Sequence, residues 1–170
     1  MLSEITNYLS RIQDLHQQIN QLIAAAPAAG LDWRAFGERE EHEANSLAVL
    51  AAHVAGAEHF WIGEVIGGLP PTRDRDAEFA TQSTSAEELI RLLDHTLTET
   101  TAILSDLNSE AMDQTRTVRD KIVAVRWAIV HVIDHTALHL GHMQMTYQML
   151  TNGIAHPAPL WDQRLPQGNG

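Results

Sequence analysis

Cysteine is absent from the 170 residues, which excludes a disulfide framework, a thiolate metal site and a cysteine nucleophile together. Any thiol chemistry has to come from a second molecule. Basic residues are scarce as well: 11 Lys and Arg stand against 22 Asp and Glu, for a formal net charge of −11. Nucleic-acid binding rests on clustered Lys and Arg, so a phosphate-backbone partner is not expected. Apolar runs are broken by His, Glu or Gly well short of the ~18 residues that span a bilayer. The first residues, MLSEITNYLSRIQ, lack the basic-then-apolar order of a signal peptide. The reading is a cytoplasmic protein with no membrane partner.

Histidine, in contrast, occurs ten times, and His131, His135, His139 and His142 fall together in HVIDHTALHLGHMQMTYQML. At about 100° per residue, successive i, i+4 steps drift by ~40°, so on one helix these four rings lie within an arc of roughly 80°. Imidazoles four apart on one helical face can grip a single divalent ion, and a neutral ring has a lone pair available near pH 7. A single such pair arises easily by chance in a histidine-rich chain. Four on one arc carry more weight, because Trp127, Val130, Ile133, Leu138, Leu140 and Met145 are expected on the other faces. That leaves the histidine face buried or lining a cleft, where imidazoles need partners.

With 44% apolar residues, the chain suffices for one domain with a substantial core. The first helix covers 3–26, with Ile5, Leu9, Ile12, Leu15, Ile19, Leu22 and Ile23 spaced by three and four, and stops at Pro27 and Gly30. His16 within it reads as a surface or edge residue. LDWRAFGEREEHEAN reads as a connector pinned by Trp33 and Phe36, with His42 solvated. A second helix is expected from Asn45 as N-cap through SLAVLAAHVAGAEHFWIGEVIG to Gly67 and Gly68. On it His53 shares an arc with Leu50, Ala57 and Phe60, while His59 lies more than roughly 90° away. The long polar link over 69–84, LPPTRDRDAEFATQST, suits a crossing between two parallel helices.

A third helix opens in a capping box of Ser85 and Glu88 and runs on Leu89, Leu92, Leu93, Leu97, Ile103, Leu104 and Leu107, with His95 exposed. NSEAMDQTRTVRD reads as a polar connector, and the fourth helix runs from Asp120 as N-cap to Asn152 and Gly153. Met143, Met145 and Met149 read as core filler, since thioether ligands suit soft copper. No strand-period segment of useful length is found. The chain is therefore read as an all-α four-helix bundle over 1–153, with an irregular tail over 154–170 docked by Trp161; His156 has no assignment. Bundles build metal sites from facing helices. Here helix two offers His53 and helix four offers His135 with either His131 or His139, spacing alone leaving that choice open. Three imidazoles leave a divalent ion open positions for water or substrate, as in catalytic sites.

NSLAVLAAHVAGAEHFWIGEVIGG together with VRWAIVHVIDHTALHLGHMQMTYQML resembles the DinB/YfiT-like superfamily. The likeness is close over the second and fourth helices and extends to the others by order and length. That family's pattern has one histidine in an AHxA-type segment of helix two and an H-x-x-x-H followed by x-G in helix four, which fall on His53, His135, His139 and Gly141. The resemblance implies up-down-down-up topology and a divalent metal, usually zinc or nickel, on His53, His135 and His139. His142 stands where many members carry Gln, and either orients a ligand or bound water or walls the pocket.

Relatives include transferases and isomerases that use bacillithiol, mycothiol or glutathione. The implied function is thus a metal-dependent S-transferase joining a low-molecular-weight thiol to small electrophiles, which agrees with the lack of cysteine; a homodimer is the expected assembly. An open-site cation lowers a bound thiol's pKa and positions the thiolate. Two alternatives stay open. A metal-dependent hydrolase wants a carboxylate base, and Asp134 points ~100° from His135. A stress-related metal-binding protein without catalysis is the other. Arg116, Arg119 and Arg126 read as surface charge, and Glu64 as too far along helix two, at ~1.5 Å per residue, to share an ion with His53.

Overall fold

Seven apolar positions spaced by three and four make α1 (Ser3–Ala25) one-faced, and all seven are buried. The computed structural model describes residues 1–35, 44–83 and 85–154; Phe36, His42, His156 and Trp161 lie outside them, as does the expected tail beyond Ile154. His16 lies on the buried face of α1 and is 0% exposed. This corrects its reading as an edge residue, and the reason is a partner far away in sequence: its Nε2 lies 2.7 Å from Glu58 Oε2.

In α2 (Leu47–Glu58) every residue but Gly56 is buried, as expected of a helix apolar on all sides. Its N-cap is Ser46, one residue past the expected Asn45, and the Ser46 side chain accepts the Val49 N–H at 3.2 Å. The helix continues as a π-helical segment, His59–Ile66, where the Gly67 N–H reaches five residues back to Ile62 O at 2.8 Å. Gly68 follows at φ +71°, a left-handed conformation that glycine adopts without strain. The 69–84 link is not wholly irregular. Asp74 caps the short α3 (Arg75–Phe79) by accepting the Ala77 N–H at 2.9 Å.

In α4 (Ala86–Ser105), Ser85 accepts the Glu88 N–H at 3.3 Å but donates its hydroxyl to Glu87 rather than Glu88. The buried face of α4 is Leu89, Leu93, Thr96, Thr100 and Leu104, and Leu92 turns outward. After α5 (Ser109–Met112), two strands replace the expected connector and the first turn of the last helix. β1 (Thr115–Val118) pairs antiparallel with β2 (Lys121–Ala124), Thr115 opposite Ala124 and Val118 opposite Lys121. The β-branched Thr115, Thr117, Val118, Ile122 and Val123 suit a ladder better than a helix start.

The last helix, α6 (Val125–Leu150), begins at Val125 and is closed by Asn152 and Gly153, both at positive φ. Its core face is Ile129, Val132, Thr136, Leu140, Met143 and Tyr147, whereas Trp127, Val130, Leu138, Met145 and Met149 are exposed. Only Met143 of the three methionines is core filler. Arg126 binds Glu4 and Asp113, bracing α6 against α1 and the α5 end.

These four long helices make the bundle. α1 packs on α4 and α6, and α2 on the same two. Asn20 bonds Asp94 while Ser105 meets Met1, so α1 and α4 run oppositely. Glu4 meets Arg126 and Ala25 meets Tyr147, so α1 and α6 run together. Apolar side chains form two clusters, one around Leu22, Leu50 and Leu93 and one around Ile12, Ile62 and Ile129. His16, Glu58 and Thr100 form a buried polar network at the bundle's centre.

Candidate metal centre

His53 is carried in the middle of α2, and His135 and His139 stand one turn apart on α6, beside its core face. The helix pair brings His53 Nε2 to 3.1 Å from His135 Nε2. The His139 ring centroid is 4.9 Å from that of His53 and 4.4 Å from that of His135. One nitrogen from each of the three lies within 4.8 Å of the others, and among the described residues this is the one set of three His, Asp or Glu groups so placed. A tetrahedral ion with bonds of ~2.0–2.1 Å to nitrogen needs ligand atoms roughly 3.3 Å apart. The His53–His135 separation matches this spacing and one His139 nitrogen lies within 4.8 Å of both, so the donors are of the right kind and close to the right spacing for such an ion.

Burial pushes His135 down to about 3, with the neighbouring His139, His53, His131 and Arg73 adding to the effect. Burial likewise lowers His139 to about 4, helped by His53 and His142. Both rings are therefore neutral at pH 7, with a lone pair to offer.

His53 is aimed by a residue that sequence reading missed. Its Nδ1 lies 2.8 Å from Glu78 Oε2, so Nδ1–H donates to the carboxylate and Nε2 turns toward His135. A carboxylate behind a ring fixes tautomer and orientation in many metal-binding histidines. Glu78 is itself gripped by Arg73, through Nε to Oε1 at 2.6 Å and a second nitrogen to Oε2 at 2.9 Å. Burial would raise the Glu78 carboxyl, but Arg73 and His53 outweigh it and hold the pKa below the ordinary value. Glu64, dismissed as a ligand, secures this arrangement from outside by accepting the Thr72 and Arg73 N–H groups at 2.7 and 2.8 Å. A glutamate in a five-residue helix shows no periodicity, so the only sequence signal was Asp74 as a cap.

His131 stands apart from the cluster. It stacks on Trp127 at 4.9 Å with planes 9° apart, meets Trp61 edge-on at 5.2 Å, and keeps its ring 5.8 Å from that of His135. His142 is exposed, with Nδ1 3.4 Å from His139 Nδ1. His59, turned away from His53 as its spacing predicts, bonds Glu99 at 2.6 Å and Thr72 at 2.9 Å. A cleft of about 680 Å³ opens beside His53, His139 and His142, bounded by Phe79, Arg75 and Met145. Among the described residues none that lines it is a carboxylate, and Glu78, behind His53, is already committed twice.

Known structures share this architecture. A DinB-like protein from Bacillus subtilis, YjoA, superposes with a TM-score of 0.67 at 16% identity, covering 91% of this chain and 96% of that one. A conserved protein from Enterococcus faecalis gives 0.69 at 14%, covering 89% and 99%. YfiT from Bacillus subtilis, described as a probable metal-dependent hydrolase with an unusual four-helix bundle topology, gives 0.69 at 13%, covering 89% and 90%. The class is thus the DinB/YfiT-like four-helix bundle. Within it, residues 14–151 match the mycothiol-S-transferase family, and the chain belongs to that family. No match was found among curated proteins.

Proposed function

We propose that the protein is a metal-dependent S-transferase, with zinc or nickel held by His53, His135 and His139 and a low-molecular-weight thiol, mycothiol first, as cosubstrate. The observation that carries the reading is the meeting of three imidazoles beside an open cleft whose described lining residues include no carboxylate. When bound, a divalent ion with open positions lowers a thiol's pKa and makes a thiolate available near neutral pH. The chain's own part is to hold His53 in one tautomer through Glu78, to keep His135 and His139 unprotonated, and to offer Leu50, Phe79 and Met145 as an apolar wall for an electrophile. Hydrolysis is less favoured because it needs a carboxylate base for water, and the described residues lining the cleft supply none.

The test follows loss of an epoxide or a chlorinated aromatic with mycothiol, with glutathione and with no thiol, before and after metal removal. Consumption should require both thiol and metal, and turnover without thiol would instead favour hydrolysis. His135→Ala should lower metal content by elemental analysis, on protein purified without a nickel column, while keeping the helical circular dichroism. Unchanged metal stoichiometry would remove the ligand assignment.

A further inference from the structure

The hairpin creates a second cleft, of about 980 Å³, between its tip and the π-helical segment, at the upper end of the ~300–1,000 Å³ typical of small-molecule sites. Trp61 and Trp127 give it a flat apolar wall, and Trp127 is 52% exposed even with His131 stacked on it. Four cations line it: Arg73, Arg75, Arg119 and Lys121. Arg73 is committed to Glu78, but among the described residues the other three have no carboxylate partner. On the acidic side stand Asp120 and Glu64, the latter already accepting two backbone N–H groups.

A chain of net charge −11 repels anions at a distance, so three cations without a carboxylate partner among the described residues, on one apolar-walled cleft, are a local reversal of its field. Arg119 adds a second sign. It sits in the turn at φ +57°, where glycine would be unstrained, so the backbone there does not explain the residue and its guanidinium does. Arg75 also lines the cleft beside His53 and His139, joining the two.

We propose that this second cleft binds an organic carboxylate with a flat apolar body, the anionic group held by Arg119, Lys121 and Arg75 and the body laid against Trp127 and Trp61. The site stands whether or not the three histidines hold a metal. Calorimetric titration of the full chain with 2-naphthoate, 2-naphthamide and inorganic phosphate tests it. Naphthoate should bind at least tenfold more tightly than naphthamide and more tightly than phosphate, and should weaken as salt rises. The Arg119→Gly/Lys121→Gln variant, whose turn is relieved rather than strained, should lose tenfold or more for naphthoate with naphthamide unchanged. Trp127→Ala should weaken both organic probes, and His135→Ala neither. No naphthoate binding at millimolar concentration, parity with naphthamide or phosphate, or unchanged affinity in the double variant would overturn the proposal. So would loss of naphthoate in His135→Ala alone, which would put the carboxylate at the histidine cluster.

Discussion

Among the described residues two histidine–carboxylate pairs are buried, and they differ in what the second ring nitrogen meets. His53 bonds Glu78 at 2.8 Å, and its Nε2 faces His135 at the edge of a cleft. His16 bonds Glu58 at 2.7 Å, but its Nδ1 is buried and has no hydrogen-bond partner among the described residues. The carboxylates differ too. Glu78 arrives from a link and is neutralised by Arg73, while Glu58 belongs to the central helix and has Thr100 as its other partner, at 2.7 Å. A close histidine–carboxylate bond is thus no mark of a site by itself. Access of the far nitrogen to other donors and to open space distinguishes a ring set for binding from one locked in the core.

The contrast should appear first as stability. Glu58→Ala leaves His16 and Thr100 without their buried partner and should cost ~3–5 kcal/mol, the usual penalty for halving a buried pair, read from urea denaturation. Replacing both members, as in His16→Leu/Glu58→Leu, should recover most of that loss, since apolar substitutes for a buried pair are often neutral or better. If the double variant is as unstable as the single, the pair contributes more than its desolvation allows. At the other pair the expected loss is in binding. Glu78→Ala should weaken metal affinity by ~10–100-fold, as removal of an orienting carboxylate does elsewhere, with a smaller shift in denaturation midpoint than Glu58→Ala. Competition with a chelating dye measures it, and equal metal affinity in the variant and the parent would place the two pairs in the same structural class.

Where local pattern and tertiary packing agree, the sequence already showed the outcome. The α1 stripe from Ile5 to Ile23, the end at Asn152 and Gly153, and the inward arc of His53 are each set by spacing within one helix. His16 was misread because its partner is 42 residues away, and nothing in helical period marks one polar residue on an apolar stripe as paired. The hairpin escaped because strands of four residues show almost no alternation, and Arg119–Asp120 lacks the glycine that usually announces such a turn. On α6 the outward Trp127, Val130, Leu138 and Met145 are as apolar as the inward residues, so hydropathy alone could not choose the face. Spacing brought His135 level with both His131 and His139, and only the Trp61–Trp127 wall around His131 separates them in space.

The smallest effect should also be the most discriminating between the two pairs. Gly56 is the one residue of α2 that is not buried, and a methyl group on it would fall inside contact distance of the Glu78 carboxylate. A free glutamate would swing aside at little cost. Glu78 is not free, because Arg73 holds both oxygens and His53 holds one. Gly56→Ala therefore has to loosen that grip while improving helix propensity by ~1 kcal/mol. Stability should stay level or rise slightly, and metal affinity should fall severalfold, so the two readouts move apart. The three atoms nearest such a methyl group all belong to Glu78, so the substitution bears first on that carboxylate and not on the His16–Glu58 pair. Parallel losses of stability and metal affinity in Gly56→Ala would mean that Glu78 works as ordinary packing rather than by aiming His53.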